Sequence, residues 1–220
     1  CYITKNINLL IRRDKMALWG KAHASASNKP KFLPTDEDSK YTRADSYATN
    51  AGWVMRAGST ATGNDNTSAD PEVLVHIGGL AGTSSTTGLK TPTITALRYV
   101  IGSTATTDMT AGDGTQRILV EVTWDEEVTV AGSPQITIVN GNQSSAGYGN
   151  HVLTYTATGS TANRKRFEKT SASLGNTDVL TTPAAIALNS GTISDTVVGG
   201  TTLAALLDIS SVVQVHTVSS

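Results

Sequence analysis

The side chains best suited to chemistry are dispersed along this sequence. The four histidines, His23, His76, His151 and His216, lie far apart, and none stands at metal-ligand spacing from another. Cys1 is the only cysteine, so the sequence offers no thiolate pair for a metal or an internal disulfide. No segment matches the serine motif of hydrolases, the phosphate-binding loop of nucleotide-binding proteins or the paired-histidine zinc motif. We therefore expect neither an enzyme nor a cofactor.

Two short charged runs stand out. The acidic run is Asp125, Glu126 and Glu127, and the basic run is Arg164, Lys165 and Arg166. One hypothesis is that the runs contact each other, within one copy or between neighbouring copies. The other is that both are solvated loops, since exposed ion pairs contribute only about 0–1 kcal/mol. Two further polar stretches, residues 36–38 and 64–66, lack the full pattern of a calcium-binding EF-hand loop and indicate solvated turns.

The composition favours an all-β chain. Of the 220 residues, 38% are hydrophobic and 16% charged, whereas typical domains have roughly 45–50% and about 25%. Threonine and valine favour strands, and the abundant glycine favours the turns between them.

The net charge of −1 gives no field that would attract nucleic acid or an acidic membrane surface. No apolar run reaches the roughly 18–20 residues of a membrane span. We expect no nucleic acid and no membrane among the partners.

Residues 93–220 carry the pattern of an antiparallel sandwich. Apolar and polar side chains alternate through Ile118–Trp124, which is typical of a half-buried strand. The other expected strands lie at residues 94–101, 128–130, 135–139, 152–157 and 211–218. Short strands separated by turn residues at near-regular spacing predict an antiparallel β-sandwich. At about 125 residues, this half is large enough to fold by itself.

The part of the chain before residue 93 has a different character. Residues 81–92 form a Gly/Ser/Thr linker by composition. Residues 16–80 show little sustained periodicity and allow only two short strands, at residues 52–56 and 72–77. We interpret residues 1–15 as an upstream translated leader, because the codons for residues 12–16 can spell a ribosome-binding sequence before a start codon. A short basic tail is the alternative.

Five aromatic side chains within residues 16–80 need shelter from water. They are Trp19, Phe32, Tyr41, Tyr47 and Trp53. A stretch with so little other apolar matter is not expected to close a core of its own, whereas large rings favour a dry environment. We expect an extended, largely irregular anchoring arm whose rings pack on neighbouring subunits, and a disordered tail is the alternative. From Met16 through Pro92 the chain has seven basic and seven acidic residues, so packing rather than charge would attach the arm.

Two separated motifs resemble the repeat of bacterial Ig-like and cadherin-like surface domains. The first is Gln116–Ile138, in which a strand ending in Trp124 is followed by the acidic run, Val-Thr-Val and Gly-Ser-Pro. The second, Ile186–Asp195, resembles the closing part of the same repeat. The resemblance covers about residues 93–218 and implies an Ig-like β-sandwich. One departure is the basic stretch Arg164–Lys169, which stands where the family often carries acidic residues suited to calcium.

Short segments nearer the start resemble virion structural proteins of T4-like marine phages, especially those of cyanobacteria. They are Met16–Gly20, Asn28–Pro34 and Tyr47–Val54. Together with the arm and the sandwich, this resemblance implies a capsid-decorating or cementing protein of the virion, with other virion proteins and further copies of itself as partners. The alternative is a tail-fibre or adhesin-type module that recognises host surface glycans through loop aromatics such as Tyr148. A hydrolase built around His151 is the third hypothesis.

Overall fold

The computed structural model describes residues 45–59, 66–77, 80, 91–101, 109–144, 147–195 and 203–220. These residues form strands, turns and short 3₁₀ segments, and every pair of neighbouring strands among them is antiparallel. The chain divides into two compact units, Cys1–Lys90 with Val197–Thr201, and Thr91–Thr196 with Thr202–Ser220. The prediction of an all-β, antiparallel fold is confirmed.

The described part of the first unit is a sheet of three short strands in the order β1-β2-β3. The strands are β1 (Ser46–Thr49), β2 (Gly52–Met55) and β3 (Glu72–His76). The last two confirm the two strands expected from the sequence. Gly52 begins β2 with φ +126°, and a Cβ at this position would lie 2.1 Å from the carbonyl oxygen of Val75. Only glycine therefore allows β2 and β3 to approach so closely.

This small sheet has a core of its own. The strand register places Ala48, Trp53 and Val75 side by side, and Ile77 and Leu80 complete the buried cluster. Trp53 has no exposed surface, and Tyr47 retains 3%. The expectation that these two rings need a neighbouring subunit is therefore corrected, because both are buried within the chain. Trp19, Phe32 and Tyr41 lie outside the described residues.

The second unit contains nine strands within its described residues. They are β4 (Ile94–Tyr99), β5 (Gly112–Trp124), β6 (Val128–Ala131), β7 (Gln135–Gly141), β8 (His151–Thr156), β9 (Arg164–Leu174), β10 (Val179–Thr181), β11 (Thr192–Asp195) and β12 (Val215–Thr217). A 3₁₀ turn, Ser210–Val212, precedes β12. Seven strands form one sheet in the order β12-β10-β7-β8-β9-β5-β4, and β6 pairs with β11 in a second sheet.

Both sheets enclose one hydrophobic core. Trp124, Leu153 and Phe167 from the large sheet are fully buried there, together with Val128 and Ile193 from the small sheet. The arrangement is a sandwich, and its large sheet is strongly curved because its outermost strands approach each other. The evidence for this closure is a hydrogen bond of 3.2 Å from the Tyr99 hydroxyl on β4 to the Leu180 carbonyl oxygen on β10. The Tyr99 ring also lies 5.8 Å from the His216 ring on β12.

The strand predictions for this unit were confirmed wherever apolar residues alternate, and the basic stretch was the main error. Residues 164–169 were expected in a loop, but they begin the eleven-residue strand β9, which lies between β5 and β8. Arg164 and Lys165 are buried there. The last strand is also shorter than expected, because the 3₁₀ turn occupies residues 210–212.

Candidate interaction surface

A row of charged side chains crosses the face of the large sheet that is turned away from the core. The register aligns Arg98 on β4, Glu121 on β5 and Arg166 on β9. Val120 and Val122, the neighbours of Glu121 along β5, are fully buried, so Glu121 must point to the other face. Its side chain is nevertheless only 3% exposed, because the arginines on either side cover it.

Three guanidinium groups converge on the Glu121 carboxylate. Arg98 Nη2 donates to Oε1 at 2.8 Å, Arg164 Nη1 donates to Oε1 at 3.2 Å, and Arg166 Nε donates to Oε2 at 3.1 Å. We call these four residues the arginine cluster. Burial raises the pKa of Glu121, but the charges of Arg164, Arg98 and Arg166 outweigh burial and leave that pKa below its usual value. Glu121 therefore stays ionised.

The arginine cluster carries more positive than negative charge. Three guanidinium groups surround the single carboxylate of Glu121. The Arg98 side chain is 43% exposed and that of Arg166 is 26% exposed, whereas the Arg164 side chain is only 7% exposed. Arg166 is held against the turn before β9, since a Cβ at Gly159 would lie 2.1 Å from Arg166 Nη1. Arg98 and Arg166 thus present positive charge to solvent from fixed positions.

Arg164 and Arg166 of the basic run form ion pairs with a residue outside the acidic run. The arginines bind Glu121, a strand residue that the sequence analysis did not single out. Asp125 instead accepts hydrogen bonds from the backbone N–H of Thr93 at 2.7 Å and from the Thr93 hydroxyl. Asp125 therefore fixes the chain just before β4. The interpretation of the acidic run as solvated is wrong for Asp125 and Glu126, which are both buried.

Lys165 and Glu127 provide an electrostatic link between the two runs. Burial lowers the pKa of Lys165, and the charge of Glu127 opposes that decrease. The Lys165 Nζ donates a hydrogen bond of 2.7 Å to the carbonyl oxygen of Thr161. Because this ammonium group is buried and bonded to the backbone, its role is to hold the start of β9 to the preceding turn.

Glu126 lies in an unusual environment. It is 2% exposed, and its Oε1 has no hydrogen-bond partner. Burial, together with the charges of Asp125 and Asp195, raises the pKa of Glu126 to about 8, so this carboxyl is largely protonated at neutral pH. Asp195 itself accepts a hydrogen bond of 2.6 Å from the backbone N–H of Leu203.

In the described ranges, no group of three or more His, Cys, Asp or Glu side chains is arranged to hold a metal ion.

The hydrolase hypothesis rested on His151, which is buried at the start of β8. Neither of its ring nitrogens has a hydrogen-bond partner. Burial and the charge of Lys169 lower its pKa, and the charge of Asp178 partly opposes them. Asp178 instead accepts hydrogen bonds from Asn140 Nδ2 at 3.0 Å and Gly175 N at 3.0 Å. His151 and Asp178 are thus near each other without the hydrogen bond that a catalytic pair requires.

Exposed valines occupy the other half of the same outer sheet face. Val139, Val152 and Val215 are 47%, 45% and 61% exposed. Alternation with buried neighbours places Val139 and Val152 on the face away from the core, and the pairing of Val215 with Thr181, next to the buried Leu180, places Val215 there too. Val139 and Val215 both flank Thr181 in the register. The outer face therefore combines apolar side chains with the exposed arginines, which is a composition found in protein-binding surfaces.

The charge pattern of β5 contained a signal for the cluster. Glu121 is the single charged residue within the alternating stretch Ile118–Trp124, and a carboxylate at the centre of a strand requires a partner when it is covered. Arg98 could not be assigned as that partner without the register between β4 and β5.

No helix formed by the described part of the chain is long and apolar enough to cross a membrane. Comparisons with protein-family models, curated proteins and solved structures found no match.

Proposed function

We propose that this protein is a structural component of a virion, of the capsid-decorating type, which displays an Ig-like β-sandwich. Two motifs in residues 93–218 resemble Ig-like surface domains, and three segments between residues 16 and 54 resemble virion proteins of marine phages. Under this proposal the partners are other virion proteins and further copies of the chain, and the protein works by assembly rather than by catalysis.

The observation that supports this function best is the outer face of the seven-stranded sheet. It combines the exposed valines with the partly exposed Arg98 and Arg166, which suits contact with another protein surface. The buried carboxylates of the same unit serve the fold. Glu121 binds three strands together, Asp125 fixes the segment before β4, and Asp178 holds the turn that precedes β10.

The structure of the first unit changes which aromatic residues we propose as anchors. Tyr47 and Trp53 belong to the core of a small sheet, so they are withdrawn as anchoring residues. Trp19, Phe32 and Tyr41 keep that proposed role, because they are the remaining large rings of residues 16–80 and such rings are common anchors at protein interfaces.

Incorporation into particles tests this proposal directly. The tagged full-length chain would be produced in cells infected with the virus that encodes it, and particles would be banded on a density gradient. We expect the tag in the particle band, and we expect Trp19→Ser/Phe32→Ser/Tyr41→Ser to leave the band while remaining folded. A wild-type chain that stays in the soluble fractions would contradict the virion role. A triple variant that still bands with particles would contradict only the anchoring role.

The glycan-binding alternative has one supporting observation. Tyr148, in the loop between β7 and β8, is partly exposed, and its carbonyl oxygen accepts a hydrogen bond of 3.3 Å from Asn140 Nδ2. An aromatic ring on an anchored loop can stack on a sugar ring. In the same infection experiment, Tyr148→Ser would reduce attachment to host cells without changing incorporation if the module is an adhesin, and it would leave attachment unchanged if the protein is a decoration protein.

A further inference from the structure

The arginine cluster has a surface of opposite charge on the same chain. Asp70, two residues before β3, and Glu72, its first residue, are exposed, and Pro71 between them is exposed as well. No described basic side chain forms an ion pair with either carboxylate. Asp70, Pro71 and Glu72, which we call the acidic segment, therefore present two negative charges to solvent.

We propose that the arginine cluster of one copy binds the acidic segment of a second copy. The two exposed guanidinium groups of the cluster, those of Arg98 and Arg166, match the two carboxylates of the segment in number. Guanidinium groups bind carboxylates with paired hydrogen bonds, which gives such a contact direction as well as charge attraction. The exposed guanidinium groups, those of Arg98 and Arg166, are the ones that the second copy contacts.

The spacing of the two charged surfaces is compatible with this contact. Arg98 and Arg166 lie on strands separated by one intervening strand, so their backbones are about 9–10 Å apart, and their side chains converge on Glu121. Carboxylates two residues apart on an extended chain lie on one side of it, about 6.5–7 Å apart. Pro71 restricts the chain before it to extended conformations, so both carboxylates can face the same partner.

The contact joins different surfaces on the two copies, and this has a consequence for assembly. A head-to-tail interface leaves one unused arginine cluster and one unused acidic segment at the ends of every pair, so further copies can add until a ring closes or a filament grows. This inference does not rest on the proposed virion function, because it concerns the purified chain alone.

Sedimentation velocity of the full-length protein tests the contact. We expect concentration-dependent oligomers at low salt, which weaken when NaCl is raised from about 50 mM to about 500 mM because the charges are screened. Glu72→Arg, in the segment, and Arg98→Gln, in the cluster, should each weaken self-association about tenfold. Asp208→Lys changes the charge of another exposed carboxylate and should leave association unchanged.

Mixing the two variants gives the sharper result. Glu72→Arg retains an intact cluster and Arg98→Gln retains an intact segment, so their mixture can form one productive contact but cannot extend it. At a concentration where the wild-type chain forms oligomers, we expect each variant alone to be mainly monomeric and the mixture to form mainly dimers. A wild-type chain that stays monomeric at high concentration would overturn the proposal, as would a Glu72→Arg variant that assembles like wild type. Circular dichroism melting of each variant confirms that it is folded.

Discussion

Arg164 Nη1 lies 3.2 Å from Glu121 Oε1, and both side chains are almost completely covered, at 7% and 3% exposure. The backbone of Arg164 is aligned with Thr123 rather than with Glu121, so the side chain crosses to the neighbouring row to make this contact. A carboxylate this deeply covered remains charged only because guanidinium groups replace the water that it lost.

Removing the charge of Glu121 should be strongly destabilising. Glu121→Gln removes the carboxylate that the three arginines share, and we expect the free energy of unfolding to fall by about 3 kcal/mol. The matched control is Arg98→Ala, which removes the most exposed arginine and leaves two partners for Glu121, so it should cost less than about 1 kcal/mol. Urea unfolding at neutral pH and low salt measures both. Equal losses for the two variants would contradict the buried character of the cluster.

Glu126 should make the second unit less stable at alkaline pH. Burial with the charges of Asp125 and Asp195 raises the pKa of Glu126 from 4.5 to about 8, so the folded state holds a proton that the unfolded chain releases. The stability from this group is full below pH 4.5 and is lost as the pH rises through 8.

Glu126→Gln, which mimics the protonated acid, tests this effect. It should match wild type near about pH 5 and exceed it by about 1–3 kcal/mol near about pH 9, because an uncompensated buried charge is removed. Melting temperatures of the two proteins across this range provide the measurement. Glu127→Gln is the control at the neighbouring position, and a pH-independent difference between Glu126→Gln and wild type would reject the explanation.

Asp178 should make the fold sensitive to strong acid. Burial raises the pKa of this carboxyl, but hydrogen bonds from Asn140, Gly175 and Ser144 outweigh it and lower the pKa to about 2. The stability that this group contributes is therefore full above its unfolded value of 3.8 and is lost as the pH falls through 2.

Asp178→Asn replaces one acceptor oxygen by an amide donor that faces other donors. We expect a loss of about 2–4 kcal/mol at neutral pH, and a smaller dependence of stability on pH below 4. Urea titrations at several acidic pH values would show both effects. Asp113→Asn, a change at an exposed carboxyl that accepts a 2.6 Å hydrogen bond from the Ser173 hydroxyl, should leave the acid dependence as in wild type.

Trp53 should determine whether the first unit keeps its structure. Its ring is fully buried against Ala48, Ile77 and Leu80, so Trp53→Ala should cost about 3–5 kcal/mol of local stability. Hydrogen exchange of β1 and β2 should accelerate strongly, whereas exchange in β5 should not change. If Trp53→Ala leaves β1 and β2 as protected as in wild type, the core of this small sheet is assigned wrongly.

The sequence predicted the strands whose side chains alternate. It missed β9, whose pattern is broken by charge, and the short strands β1, β10 and β11. β5 and β7 were predicted because apolar residues occupy every second position. β9 was missed because three consecutive basic residues, Arg164, Lys165 and Arg166, are typical of a solvated loop. Their burial depends on Glu121, which is 43 residues before Arg164 in the chain. Local periodicity cannot contain information about a partner that far away.

The first unit shows a different limit of prediction. Its two longer-range features, the close approach of β3 to Gly52 and the placement of Ala48 beside Trp53, depend on register. Counting apolar residues suggested that the segment could not cover its own rings. The number of apolar residues underestimated how well the segment buries its own aromatic rings. A small side chain such as that of Ala48 leaves space for a large ring beside it.

The close approach of the outermost strands of the seven-stranded sheet affects how copies of the protein interact at high concentration. Unpaired strand edges invite cross-pairing between molecules and so promote aggregation. The Tyr99 ring on β4 lies 5.8 Å from the His216 ring on β12, and Thr110, before β5, forms a backbone bridge with Ser219, after β12, so the two borders of this sheet lie close together. Many such units concentrated in a small volume would therefore meet through their side chains, and colloidal solubility would depend on surface composition more than on the backbone.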